Sequence, residues 1–482
     1  MKIKFCGAAG GNVIPSRFLL QGSKPDSSVL IDCGDIVPDK KNAVHKADFG
    51  PLVPGLVNKT LLTHGHTDHV GALCDFVHDG FKGGIISTRP TEELTQALLE
   101  DNFHTALVDD VFELYESPRE FLQPFEVVEG MRATFYPAQG HILGASSILL
   151  ELEKEKLRVL FSGDLGNTNK NMLEVKGEVP EADIVVIEST YGRREHHPDF
   201  EESLEQLYKG INETYENNGN FYIPVLSINR LQEALYYLNL GIEKGLIPSD
   251  INIVVDSTLG EEITKIYDQK DNKQFFSSDA RDFFSKFSVV YPFRYTTDIN
   301  KNGRNIILAS SGLDGLRGRF RKHLKGLTSE KNSIAVVSHT LEGSLLNDIA
   351  LGKDKVGTNG GSIDLKAKSF TLSGFSSHAD ATQLISWLEK TKAKYVFLVH
   401  GEDDSRENLK QMIIIKGICP VEKIFMPAMF DEYDLTSLHS GPISTPLPNV
   451  EVKPPVESGN GKAGGTTVHL FGRDLTFSNL PD

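Results

Sequence analysis

Four potential metal ligands stand in six residues: His64, His66, Asp68 and His69, in the run His64-Gly65-His66-Thr67-Asp68-His69. Imidazole nitrogens and carboxylate oxygens are the usual hard-to-borderline ligands of zinc, and hydrolytic zinc sites leave one position open for water. In an extended turn, residues 64 and 66 point one way while 68 and 69 face a neighbouring centre. One turn thus begins two metal sites. The chain holds 15 histidines, and three of them beside an aspartate in so short a run point to metal binding and hydrolysis.

Each metal needs further ligands from elsewhere. His141, in Gln139-Gly140-His141-Ile142-Leu143-Gly144, and Asp164, in Ser162-Gly163-Asp164-Leu165-Gly166, both sit between glycines after an apolar run. Taken singly, each reads as readily as a turn residue as a ligand. Placed in order after the histidine run, they supply what is missing. A carboxylate such as Asp164 can bridge two cations and help hold them roughly 3.5–4 Å apart for in-line displacement.

The elements that must position these groups are short and apolar. Val29-Leu30-Ile31 precedes Asp32, Lys59-Thr60-Leu61-Leu62 precedes His64, and Val159-Leu160-Phe161 precedes Asp164. Ile184-Val185-Val186-Ile187 precedes Glu188, and Val396-Phe397-Leu398-Val399 precedes His400. Such runs read as buried strands, and polar groups at their carboxyl ends let a layered α/β fold assemble a site from distant segments. Leu204, Leu207, Ile211 and Tyr215 predict one apolar helix face, as do Leu384, Ile385 and Leu388. Ile148–Leu152 and Leu157–Phe161, joined by Lys154-Glu155-Lys156, predict a hairpin.

A second α/β unit with its own strands (Phe221–Leu226, Ile251–Val255, Ile306–Ala309, Ile334–Val337) interrupts the chemistry-bearing pattern. The expected division is therefore 1–195 and 371–440 as two parts of one domain, 196–370 as an insertion, and 441–482 as linker and tail. Within the tail, Gly441–Gly465 is rich in Pro and Gly, and Thr466–Phe471 has strand character.

Bulk properties bound the rest. A chain of 482 residues has room for two or three domains, and no stretch approaches the roughly 18 apolar residues of a membrane span. The four cysteines form no CxxC pair and, with no signal-peptide pattern at the N-terminus, fit a reducing cytoplasm. A net charge of −16 works against long-range attraction of nucleic acid. A locally positive cleft, or two bound divalent cations, would offset it.

The series Asp32, His64-Gly-His66-Thr-Asp68-His69, His141 and Asp164 resembles the motifs of the metallo-β-lactamase superfamily. Its continuation resembles the RNA-processing branch of the β-CASP nucleases: Glu188 in Glu188-Ser189-Thr190-Tyr191-Gly192, His378 in Phe375-Ser376-Ser377-His378-Ala379-Asp380, and His400 in Val399-His400-Gly401-Glu402. The likeness covers about residues 1–430 and implies a four-layer αββα fold with an inserted α/β β-CASP cap. It implies that His64, His66, His141 and Asp164 hold one zinc and that Asp68, His69, Asp164 and His400 hold the other, with Mn²⁺ as an admissible substitute. Asp32 would orient ligands. A hydroxide activated by the two zincs would attack phosphorus, with Asp68 taking a proton. His378, oriented by Glu188, would protonate the leaving 3′-oxygen, so that products carry a 5′-phosphate.

Histidine at the last motif, His400, aligns with the RNA-processing members of that family, which makes RNA the expected substrate and single-stranded DNA the alternative. Arg317, Arg319, Arg321, Lys322, His323 and Lys325 crowd together after Ser310-Ser311-Gly312, a turn that resembles the family's Ser-Gly phosphate nest at Ser311. They form either a nucleic-acid contact or an ordinary solvated helix face. Arg230, in Asn229-Arg230-Leu231-Gln232-Glu233, resembles a family motif and reads equally as a phosphate contact or a salt bridge. Two stretches depart from the family pattern, Asn12-Val13-Ile14-Pro15-Ser16 and Ser338-His339-Thr340-Leu341-Glu342-Gly343-Ser344. Two other function classes share part of the motif set: a hydrolase of small esters or thioesters, and a non-catalytic RNA-binding subunit. The oligomeric state is open, a homodimer among the options, and endo- and 5′-exonucleolytic action are both compatible with the motifs.

Overall fold

The computed structural model describes residues 1–24, 26–35, 47–138, 140–170, 172–174, 177–281, 283, 303–312, 315–316, 318–337, 343–358 and 361–443, together with a strand pair at Thr466–Leu470 and Arg473–Phe477. Arg317, the stretch 338–342 and the linker from 444 to 465 lie outside the described residues.

Strands whose neighbours alternate in facing build two sheets. The first has the spatial order Glu432–Asp434, Lys2–Phe5, Phe18–Gln21, Ser28–Ile31, Lys59–Leu61, Gly84–Ile86. The second runs Ile424–Phe425, Tyr395–Val399, Ile184–Glu188, Leu157–Phe161, Ser146–Leu152, Met131–Pro137, Phe125–Val128. Val29, Ile31, Phe5 and Leu20 of the first face Ile148, Phe161, Val186 and Phe397 of the second in one shared core. The residues between them in sequence, such as Leu30, Leu160, Val185 and Leu398, point outward into a second core that includes helical Leu73, Phe76, Leu384 and Leu388. Period-2 alternation with both faces apolar is what two helix-covered sheets require. The expected four-layer αββα arrangement is present.

The predicted hairpin is antiparallel, with Leu149 opposite Leu160. Ile184–Glu188 pairs in parallel with both Leu157–Phe161 and Tyr395–Val399, so the carboxyl ends of three strands coincide. Asp164, Glu188 and His400 sit at those ends. Between Glu188 and Tyr395 the chain leaves to build a third, all-parallel sheet, ordered Asn252–Asp256, Asn305–Ser310, Asn220–Val225, Ser333–Val336, Lys368–Thr371. Helices Phe200–Glu216, Arg230–Glu243 and Thr258–Tyr267 accompany it. The helix Ala381–Thr391 starts on an Asp380–Gln383 capping box, which anchors the segment carrying His378.

Candidate metal centre

The ligand-bearing turn is shaped by close backbone packing. A Cβ on Gly34 would lie 1.6 Å from the Asp68 carbonyl oxygen, so only glycine lets the segment after Asp32 lie against this turn. Asp32 and His400 both hold positive φ, 61° and 51°, a conformation that costs non-glycine residues roughly 1–2 kcal/mol. Non-glycine residues held there cluster at functional sites, where surrounding structure over-determines them.

The expected ligands converge in two groups that share Asp164: His64, His66, His141 with Asp164, and Asp68, His69, His400 with Asp164. In the first, His64 Nε2 and His141 Nε2 lie 3.1 and 3.2 Å from His66 Nδ1. The same two Nε2 atoms lie 3.5 and 3.6 Å from Asp164 Oδ2. In the second, His69 Nε2 is 3.4 Å from Asp164 Oδ1 and His400 Nε2 is 3.4 Å from Asp68 Oδ2. Tetrahedral ligands at zinc–nitrogen distances of about 2.0–2.1 Å stand about 3.3 Å from one another. The donor set and its spacing fit zinc.

The far sides of the rings fit as well. His69 Nδ1 donates to Asp32 Oδ2 at 2.7 Å, and Asp32 in turn accepts from the Thr63 amide and hydroxyl, each at 2.8 Å. His400 Nδ1 meets Thr190 Oγ1 at 3.0 Å, His64 Nδ1 meets Thr63 Oγ1 at 3.1 Å, and His141 Nδ1 faces the Ser377 carbonyl at 3.4 Å. Partners of this kind fix ring orientation and tautomer at metal sites. Thr63, Thr190 and Ser377 were not foreseen from the sequence; adjacency to the motifs was the only signal they offered.

Burial divides the histidines electrostatically. Desolvation pushes His64 and His141 well below the ordinary histidine value and His66 down to about 4, which leaves them neutral. His69 and His400 are also pulled down by burial, but Asp164, with Asp68 and for His69 also Asp32, more than reverses it and their pKa values rise. Asp164 moves the other way: burial opposes its charge, yet the surrounding imidazoles hold it ionised. A cation at each group would take the place of the protons on His69 and His400.

Beside these groups stand Glu188 and His378. His378 Nδ1 is 3.2 Å from Glu188 Oε1, and its Nε2 is 3.8 Å from Asp164 Oδ2. Glu188 is itself held by the Leu165 and Thr190 amides at 2.9 and 3.1 Å. Burial lowers the His378 pKa, but the carboxylates of Glu188 and Asp164 outweigh it and raise it to about 9. Cations at the neighbouring centres would draw it back towards neutrality.

The expected nucleic-acid contacts fare differently. Arg321 is exposed, as are its neighbours Lys322 and Lys325. Arg319 is partly exposed and pairs with buried Asp256 at 3.2 Å, and His323 is buried against the same carboxylate at 2.9 Å. The Ser311 amide donates to the Val225 carbonyl at 2.9 Å, so it is spent on the sheet rather than free for a phosphate nest. Arg230 lies deeper: its side chain is only 5% exposed and bonds Glu233, the Phe375 carbonyl and Ser377. Burial and the bonds on both terminal nitrogens fit the salt-bridge reading of this arginine, while its buried Nε has no partner. Of the departing Asn12–Ser16 stretch, Ser16 Oγ reaches His69 Nε2 at 3.4 Å.

Comparison with known proteins matches three parts of the chain. A metallo-β-lactamase superfamily model matches residues 18–209, a Beta-Casp domain model residues 231–349, and a model described as a Zn-dependent metallo-hydrolase RNA specificity domain residues 362–427. A ribonuclease of Thermus thermophilus is 31% identical, over 86% of this chain and 97% of its own length. The transcription termination factor FttA of Methanocaldococcus jannaschii is 27% identical, over 82% of this chain and 66% of its own. The endoribonuclease ysh1 of Schizosaccharomyces pombe is 26% identical, over 75% of this chain and 49% of its own. The family and fold expected from the motifs are both borne out.

Proposed function

This chain belongs to the metallo-β-lactamase superfamily, in its β-CASP branch, and from that membership we propose that it hydrolyses phosphodiester bonds of single-stranded RNA with two zinc ions as cofactor. Metal dependence itself follows from the family and from the clustered His and Asp ligands. RNA is favoured over DNA by the RNA-specificity model on 362–427, the stretch that carries His378 and His400. The names of the Thermus and fission-yeast relatives point the same way.

The observation that carries the reading is the Glu188–His378 pair standing 3.8 Å from the one carboxylate common to both ligand groups. His64, His66, His141 and Asp164 would hold one ion, and Asp68, His69, His400 and Asp164 the other. When bound there, two zinc ions supply an acidified water and a positive clamp on the phosphate. Asp68, a quarter exposed and beside His400, faces the cleft and would accept the water's proton. His378 would give its Nε2 proton to the departing 3′-oxygen, while Glu188 on Nδ1 keeps the ring protonated and oriented. A small ester would need neither that acid nor the inserted unit, which argues against the esterase alternative. The intact ligand set argues against a non-catalytic subunit.

End-labelled and circular single-stranded RNAs, with DNA counterparts, test the reading on zinc-replete full-length protein. Expected products carry 5′-phosphates and vanish on chelation, and cleavage of circles would mark an endonuclease. Inertness towards every RNA and DNA would overturn it.

A further inference from the structure

A buried charge cluster outside both ligand groups ties the inserted sheet to the loop bearing His378. Arg230, at the start of the helix Arg230–Glu243, is bonded through Nη1 to Glu233 Oε2 at 2.5 Å. Lys170 Nζ takes the other oxygen, Oε1, at 2.6 Å. All three residues are more than nine-tenths buried. One carboxylate between two cations leaves a positive excess, and burying it is costly unless acceptors complete the cluster. The acceptors come from the catalytic loop. The Phe375 carbonyl accepts from Arg230 Nη1 and, at 3.4 Å, from Lys170 Nζ, while Ser377 Oγ accepts from Arg230 Nη2 at 2.7 Å.

Other bonds close the same loop from below. Asn167 donates its side-chain amide to the Ser376 carbonyl at 3.2 Å and its backbone amide to the Ser377 carbonyl at 3.0 Å. The residue before Arg230 reaches the other ligand loop: Asn229 Nδ2 donates to the His141 carbonyl at 3.1 Å, from a backbone with φ of 65°. The turn Asn229–Arg230 therefore holds both the segment of a metal ligand and the segment of the acid. Nothing in that arrangement leaves a donor facing solvent for RNA.

We propose that Arg230, braced by Glu233 and Lys170, is a positioning residue that sets the placement of the His378 imidazole against the leaving oxygen. The inference rests on the reading of His378 as proton donor. It differs from a merely structural role in predicting a defect that depends on whether the leaving group needs a proton. An alkoxide leaving from RNA needs one, whereas p-nitrophenolate, a stable anion near neutrality, does not.

The experiment compares single-stranded RNA with bis(p-nitrophenyl) phosphate on zinc-loaded full-length protein, for wild type, Arg230→Lys, Ser377→Ala and His378→Ala, with zinc content and Tm measured for each. Arg230→Lys keeps the charge but loses the fork that spans Phe375 and Ser377. It should lower kcat on RNA about 10–100-fold, as expected for a misplaced catalytic group, with KM and the aryl diester rate changed less than about threefold and zinc content unaltered. Ser377→Ala, which removes one acceptor and leaves the buried charges paired, should show the same selectivity with a smaller loss and carries the test if Arg230→Lys does not fold. Equal losses on both substrates, a rise in KM alone, or wild-type behaviour in these variants would overturn the inference while a selective loss in His378→Ala stands. Equal losses on both substrates in His378→Ala itself would overturn the donor reading and the inference with it.

Discussion

The floor of the cleft and the inserted unit use the same residue types in opposite ways. Among the described residues of the inserted unit, buried charges meet counterparts: Asp256 takes His323 and Arg319, and Glu233 takes Arg230 together with Lys170 from the floor. On the floor, imidazole nitrogens converge on one another at 3.1–3.2 Å with one shared carboxylate between the two groups. The outward Nδ1 atoms of His69, His64, His400 and His141 meet Asp32, Thr63, Thr190 and the Ser377 carbonyl, which turns their Nε2 atoms inward to the two groups. A buried polar group whose partner the protein supplies serves the fold. Imidazoles and carboxylates that the fold gathers on one point suit a metal cation.

The sharpest break of that contrast is at Asp164, the only side chain in both ligand groups. Asp164→Ala should abolish metal retention at one or both centres and lower RNA cleavage at least roughly 10⁴-fold, the several kcal/mol that metal assistance supplies. Elemental analysis alongside the rate checks it. A variant that keeps two zincs and most of its activity would show that the floor does not depend on a shared carboxylate.

Next in size is the acid. His378 acts in its protonated form, and Glu188 and Asp164 raise its pKa against the pull of burial while bound cations oppose them, so kcat should fall as pH rises through the pKa that His378 keeps in the zinc-loaded protein. Glu188→Gln removes a carboxylate that favours the proton. The alkaline fall should then begin at lower pH, by roughly a unit or more, with kcat near neutrality down about 10²-fold. A pH–kcat profile whose alkaline limb stays in place would separate Glu188 from the proton.

How much of this could be read from the chain depends on how local each feature is. His64–His69 is legible because its spacing alone concentrates ligands. His141, Asp164, Glu188 and His400 become legible only in order, since each is a single polar residue after a strand and the pairing of Ile184–Glu188 with its neighbours brings the ends together. Thr63, Thr190 and Asn167 carry no such mark, because a single hydroxyl or amide contact is a product of the finished fold. Arg230 was open between two readings for the same reason: an arginine in a helical pattern does not announce that its guanidinium is buried. The sequence does not show that the Ser311 amide is bonded to Val225, because that bond exists only once the inserted sheet has formed.

A smaller effect is expected at Asp32, which bonds one ligand directly, His69, and reaches His64 only through Thr63. Asp32→Ala frees the His69 ring and removes the acceptor of two Thr63 bonds. Metal affinity at the second group should weaken about 10–100-fold, the usual cost of losing a partner that orients a ligand. Competition with a chelator, read per zinc, would show one ion lost before the other. Simultaneous loss of both would mean that Asp32 supports the whole floor.

The smallest expected effect probes a part of the inserted unit whose charges are exposed rather than buried and paired. Arg321, Lys322 and Lys325 lie on the exposed side of the helix Phe320–Thr328, while Phe320, His323 and Leu327 anchor the other. Arg319 and His323 are already paired with Asp256, so among the described residues of this stretch the exposed positive charge rests on these three side chains. In a chain of net charge −16, such a stripe attracts a phosphate backbone only over short range and at low salt. Replacing Arg321 and Lys322 together with Gln should raise KM for RNA several-fold at low salt, leave kcat unchanged, and reduce the salt slope of binding by about one per cation lost from the contact. If KM and slope do not move, the stripe is a solvated helix face and RNA follows another path across the inserted unit. If kcat falls instead, these cations act on the floor, and the division between a unit that binds and a floor that reacts gives way.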